Sequence, residues 1–195
     1  MSDAILERRS IRRYKEDKIP RETVEKIIKA GMAAPSSKNR QPWKFIVAAG
    51  TAKEEALQVM EQGLVRERAF PLLPKSSKLL KGAEYTLSIM RQAPVVIFII
   101  NRLGLPIDLK LNPEERIYEI CNAQSIGACI ENMSLAAVEA GLGSLWICDI
   151  FFSYQELSGW LAAEGTLYAA LALGNAAEEP APRPRKSMDE IVEWR

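Results

Sequence analysis

ENMSLAAVEAGLGSLWI, residues 131–147, passes from a helix-forming run into a strand-forming one across two glycines. Alanine, leucine and glutamate favour the helix as far as Ala140, and Gly141 stands where a helix commonly ends in a left-handed C′ residue. Ser144–Cys148 then reads as a short apolar strand. Upstream, Pro113 suits a helix start, so the pattern predicts one long helix from about Glu114 to Ala140. Its middle is rich in small residues: Ala123, Ser125, Gly127, Ala128 and Cys129. A glycine inside a helix costs about 1 kcal/mol relative to alanine, and close approach of a second helix offsets that cost. The stretch is therefore expected at a close helix contact, and as a dimer element. Val95–Asn101 is a continuous apolar run, as expected of a strand covered on both faces. A helix over Tyr154–Ala163 and a strand over Leu167–Leu173 follow. The fold class is α+β, helices packed on a small mixed β-sheet.

Towards the start, Asp3–Arg9 reads as a short helix with Ser2 or Asp3 as its cap. Pro20 suits the first turn of a second helix, whose Val24, Ile27, Ile28 and Met32 share a face and which ends by Pro35. Lys44–Ala49 reads as a strand, and Thr51 caps a helix running through Gln62. From Gly63 to Lys81, Pro71 and Pro74 interrupt regular structure while Lys75, Lys78 and Lys81 keep the segment solvated; a mobile lid or surface excursion is expected. From Ala176 to Arg185 three prolines and two arginines suggest an extended arm. With no repeat or low-complexity segment, residues 1–195 read as one domain.

Composition narrows the function. Lys and Arg number 26 against 25 Asp and Glu, so the basic excess expected of a nucleic-acid or membrane-surface partner is missing. The longest apolar run, Ala93–Ile100, is far short of the roughly 20 residues of a membrane span. The charged start has no signal-like apolar core, and a cytoplasmic location is expected. Cys121, Cys129 and Cys148 are odd in number and widely spaced; they read as reduced, mostly buried thiols, not as a disulfide framework or zinc site. No metal is expected. The chain has no histidine, which excludes Ser-His-Asp and Cys-His catalysis and His-ligated metals. Such a protein suits chemistry carried by a cofactor.

Three stretches could carry that chemistry. RRSIRRY, residues 8–14, packs four arginines and a hydroxyl into seven residues, a donor set matched to phosphate oxygens. The same run would also serve as a solvated basic turn or a nucleic-acid patch. APSSKNRQPW, residues 34–43, sets amides and hydroxyls between two prolines, a suitable wall for a planar heterocycle or an ordinary helix-to-strand connection. GLGSLWICD, residues 141–149, lets backbone approach closely at its glycines. Its helix-glycine-strand order is the reverse of the dinucleotide-binding fingerprint.

In this order, RRSIRRY, APSSKNRQPW, ENMSLAAVEAGLGSLWI and the late PRPRK, residues 182–186, resemble the FMN-dependent nitroreductase family. The resemblance covers Arg8 to Arg185. It implies a nitroreductase-like fold and an intertwined homodimer with two FMN molecules at its interface, the arm at about 176–195 wrapping the partner. It implies that Arg8 contacts the FMN phosphate with Arg9 and Ser10 beside it, and that Arg12 lies near the N1–O2 edge of the flavin. Arg183 and Arg185 match the late basic pair, Arg185 being the better phosphate ligand. Pro35, Ser36, Ser37, Asn39 and Gln41 match the loop laid against the partner's cofactor. Trp146 and Ile147 match the segment packed on one flavin face, and the N–H of Cys148 or Asp149 approaches N5.

The implied activity is ping-pong transfer from NADH or NADPH, through FMN, to nitroaromatics, quinones or activated alkenes. Reductive dehalogenation and a sensory flavoprotein without turnover are the alternatives. Two departures from the family matter. Many relatives carry Glu or Gly at Cys148, and Tyr85–Ser88 lacks the Asn and Lys that hold the flavin pyrimidine ring in better-known members. Gly63–Lys81 and Arg102–Asn112 are expected on the substrate side.

Overall fold

The structure is a computed structural model that describes residues 3–195; the expected cap at Ser2 lies outside the described residues. Four strands, β1 (Trp43–Ala49), β2 (Val95–Asn101), β3 (Gly143–Ile147) and β4 (Thr166–Gly174), form one sheet in the order β1-β2-β4-β3. All three ladders are antiparallel. The sheet expected as mixed thus has a parallel pairing, among the described residues, only at an isolated bridge between Ser10 and Ser144.

The helices are α1 (Asp3–Glu7), α2 (Arg21–Met32), α3 (Thr51–Ala69), α4 (Leu80–Gln92), α5 (Pro113–Glu139), α6 (Tyr154–Leu161) and α7 (Met188–Ile191). The pair α3 and α4 explains the antiparallel ladder of β1 with β2. One helix between two strands makes a parallel crossover, whereas a helical hairpin returns the chain to the end it left. The sequence reading lacks α4.

Strand β2 is buried along its whole length. Its Val96, Phe98 and Ile100 join one core with Leu57, Met60, Leu87 and Leu157 of α3, α4 and α6. Val95, Ile97 and Ile99 join the other, with Ile27 of α2 and Ile130 and Met133 of α5. The continuous apolar run is the signature of this three-layer arrangement.

Local chemistry sets the ends of α5. Asn112 accepts the Glu115 N–H at 2.9 Å and the Glu115 carboxylate accepts the Asn112 N–H at 2.8 Å, a reciprocal cap. At the other end Gly141, at φ 73°, lets the N–H groups of Gly141 and Leu142 return to the carbonyls of Val138 and Ala137.

Several expectations are corrected. Met32 is 52% exposed, and the buried residue of that turn is Gly31, where a Cβ would lie 2.6 Å from Met133 Cγ and 3.0 Å from Cys129 Sγ. So part of the small-residue stretch serves the α2–α5 crossing within one chain, while Ala123 is exposed. Thr51 is the first residue of α3, not its cap, and that helix passes Gln62 to reach Ala69.

The segment expected as a lid is a tethered turn. The buried Glu67 carboxylate accepts the N–H groups of Leu72 at 2.9 Å and Leu73 at 2.7 Å. It also pairs with Arg66, which holds Glu156 at 2.9 Å. Burial alone would raise the Glu67 carboxyl, but those two N–H groups and Arg66 outweigh it and hold the group below its usual range. Phe70, Leu72 and Leu79 on this turn are exposed.

Candidate functional site

Residues 10–15 run in extended form between β3 and the chain beyond β4. Ile11 donates its N–H to Ser144 at 3.0 Å, Lys15 to Asn175 at 2.9 Å, and Ala177 returns one to Arg13 at 2.9 Å. The Arg12 N–H goes to the Glu178 carboxylate. Ile11 is buried against Gly143, where a Cβ would meet Ile11 Cγ1 at 2.7 Å. The absence of a side chain at Gly143 thus lets the basic segment lie on the sheet edge.

This pairing brings the two ends of the chain to one cavity of about 260 Å³. Arg8, Arg9, Ser10 and Arg12 line it from one side, and Arg183 and Arg185 from the tail. Every residue expected to hold a phosphate is therefore gathered in one place. Arg8 Nε pairs with Glu131 at 3.1 Å. Arg9 donates to the carbonyls of Leu6 and Arg8, Arg12 to that of Ser10 at 3.0 Å, and Arg185 to those of Arg183 and Pro184. A guanidinium has five N–H donors, so these contacts fix the forks and leave donors for a ligand. Five cations and a hydroxyl around one cavity fit a phosphate dianion.

A second cavity, of about 530 Å³, opens beside Trp146 and Cys148. Trp146 is 41% exposed, and its indole lies over α5 at Gly127, where a Cβ would stand 3.5 Å from Cη2. Ile147 does not share that face. Strand alternation turns its side chain into the opposite core, so only its backbone can reach a ligand there. Cys148 is exposed, contrary to the expectation of buried thiols. Partial desolvation first, and the neighbouring Asp149 carboxylate second, push its thiol up, so it stays protonated at neutral pH. Asp149 is held by the Thr86 hydroxyl of α4. Cys129 is buried, and burial pushes its thiol up to about 12.

Of the two segments expected on the substrate side, Leu105, Ile107, Leu109 and Leu111 line this second cavity. The stretch from Gly63 to Lys81 lines neither; Glu67 folds it on itself and Arg66 ties it to Glu156 of α6.

The 34–43 loop is rigid. Lys38, Asn39 and Gln41 adopt positive φ of 54°, 53° and 47°, a costly choice away from glycine. Hydrogen bonds hold it: Gln41 N–H to Ser36 Oγ at 3.0 Å, the Gln41 amide to Asn39 at 3.2 Å, and Ser37 N–H to Ser125 Oγ of α5 at 3.2 Å. Arg40 lies over the Tyr118 ring at 4.5 Å. Within one protomer Pro35, Ser36, Ser37, Asn39 and Gln41 line neither cavity.

Sequence reasoning missed Glu178, Ser125 as the anchor of that loop, and Thr86. It also missed a pair on the second cavity, Tyr168, whose hydroxyl donates to Glu119. Each couples residues far apart in the chain, so no local spacing marks it.

The family model described as the nitroreductase family matches residues 5–175. The chain belongs to the nitroreductase family. It is similar to a Thermus thermophilus NADH dehydrogenase, 27% identical over 98% of this chain and 94% of that one. A candidate nitroreductase from Desulfovibrio desulfuricans, solved in complex with FMN, is 28% identical, with a TM-score of 0.72 over 99% of this chain and 95% of that one. A BluB-like flavoprotein from Clostridium difficile 630 is 26% identical, with a TM-score of 0.74 over 98% and 97%. No helix of the described residues is long and apolar enough to cross a membrane.

Proposed function

We propose that this chain is an FMN-dependent NAD(P)H oxidoreductase that reduces electron-poor acceptors such as nitroaromatics, quinones or activated alkenes. The observation that carries the reading is the 260 Å³ cavity, which joins Arg8, Arg9, Ser10 and Arg12 to Arg183 and Arg185. Family membership and the FMN-bound relative support the same cofactor. When bound, FMN would supply hydride-transfer chemistry between the nicotinamide and the second substrate.

The protein's part is to bind, orient and bias. Arg8, Arg9, Ser10, Arg183 and Arg185 hold the terminal phosphate. Strand β3 then sets the direction of the site. Ser144 sits at the phosphate end through its bridge to Ser10, and the strand runs from there towards Trp146 and, just beyond its last residue, Cys148. Trp146 and the backbone of Ile147 would support one flavin face, and the N–H of Cys148 or Asp149 would orient N5. Arg12 supplies positive charge for the pyrimidine edge, which favours the reduced, more anionic ring.

The loop holding Pro35, Ser36, Ser37, Asn39 and Gln41 serves the cofactor of a second copy. Its hydrogen-bonded, positive-φ conformation and its absence from the lining of either cavity in its own protomer support that assignment, and a homodimer follows from it.

Purified protein is expected to be yellow, to release FMN on denaturation, and to bleach on anaerobic titration with NADH or NADPH. A spectrum unchanged by saturating FMN overturns the cofactor. Bound FMN that neither nucleotide reduces leaves a sensory flavoprotein instead.

A further inference from the structure

The cavity beside Trp146 holds one cation and one anion, and the two differ in their partners. Leu105, Ile107 and Ile120 make its walls apolar, and the charged side chains that reach it are Arg116 and Glu119, one turn apart on α5. Glu119 is already engaged, accepting the Tyr168 hydroxyl and, at 3.3 Å, the Leu105 N–H. Arg116 forms no ion pair among the described residues. The cavity therefore presents, at the edge of an apolar space, a guanidinium that no ion pair engages, while the Glu119 carboxylate beside it is turned to neutral donors. A cation beside low-dielectric walls attracts an anion more strongly than the same cation in open water, and a guanidinium fork matches a carboxylate in two parallel hydrogen bonds.

We propose that the acceptor used by this site is a planar aromatic or quinoid ring bearing a carboxylate, with the ring between the apolar walls and the carboxylate on Arg116. The proposal deepens the oxidoreductase reading and rests on it. An anionic group could also come from the electron donor, as the phosphates of the dinucleotide, so the test separates the two sources.

FMN-loaded protein is titrated with 4-nitrobenzoate and with the neutral 4-nitrobenzamide, following the change in flavin absorption, which reads binding without turnover. The carboxylate is expected to bind about 5- to 20-fold tighter, as one charge-assisted pair at a half-open site allows. Arg116→Gln should abolish that difference, and Arg116→Lys should restore part of it. Added salt should weaken the carboxylate alone. Arg116 lies on the exposed side of α5, away from the phosphate cavity, so the folding of these variants is readily checked by their retained FMN.

Equal affinities in the wild-type protein overturn the proposal, as does a preference that survives in Arg116→Gln. If Arg116→Gln instead slows anaerobic reduction by NADPH or NADH and leaves nitrobenzoate binding unaltered, the anion is the donor's phosphate and the proposal falls. Protein that takes up no FMN overturns the oxidoreductase reading and this inference together. FMN-loaded protein that is reduced by NAD(P)H yet fails the comparison overturns the inference alone.

Discussion

Arg8 and Arg12 line one cavity, yet their neighbours differ. Arg8 is braced by Glu131, whereas Arg12 donates to the Ser10 carbonyl two residues back. A phosphate contact is the same before and after the flavin is reduced. Arg8→Ala should therefore raise the FMN dissociation constant about 10- to 150-fold, the equivalent of roughly 1.5–3 kcal/mol, and leave the potential nearly unchanged. Arg12→Ala should lower the potential, by about 30 mV if the charge contributes roughly 1.4 kcal/mol to a two-electron couple. Anaerobic redox titration of both FMN-loaded variants is the check, and equal potentials in Arg12→Ala and the parent would move Arg12 to the phosphate alone. At this scale the sequence was informative where chemistry is dense and local, as in RRSIRRY. Ile147 was grouped with Trp146 although period-two alternation already sets its side chain on the opposite face, which leaves its backbone as the part that can face a ligand.

Among the elements, α3 carries two testable features. Its Gly63 crosses the turn after Cys148 so closely that a Cβ would lie 2.4 Å from Ser153 Cβ and 2.6 Å from its Cα. Backbone lies on the far side, so relief requires a shift of the whole turn. Gly63→Ala should cost about 1–3 kcal/mol, read as a drop in Tm of about 2–4 °C per kcal/mol for a chain of this size. Glu67 gives a pH signature. Its folded-state pKa is lowered, so its stabilisation is present above the unfolded value and disappears as pH falls through the lower, folded one. Glu67→Gln should destabilise by about 2–4 kcal/mol at pH 7, and chemical denaturation in acid should bring variant and parent together. A gap that is independent of pH would show that packing, not charge, sets the effect. The helix that sequence reading lacked, α4, does have Leu80, Ala83, Leu87 and Met90 buried at helical spacing. The prolines before it and Gly82 within its first turn masked that period. The mixed sheet was expected for want of the same helix.

For the whole molecule, the surface of α5 and the tail point to assembly. Ile117 on α5 is 59% exposed, and Trp194 beyond α7 is 85% exposed. Sedimentation at micromolar concentration should show a dimer without detectable monomer. An FMN-saturated monomer would refute the idea that Ser37 and Asn39 serve the other copy. The pairing of residues 10–15 with the chain beyond β4 has a consequence in time. Arg12 and Glu178 are 166 positions apart, so a nascent chain carries Arg8 and Arg12 through the synthesis of the whole sheet before Arg183 and Arg185, which lie beyond β4, are translated. Until that late segment has left the ribosome, the phosphate cavity lacks one wall. If that cavity takes the flavin's phosphate as proposed, loading is a late event of biosynthesis, and exposure of residues 183–185 sets the earliest moment at which the protein can turn yellow.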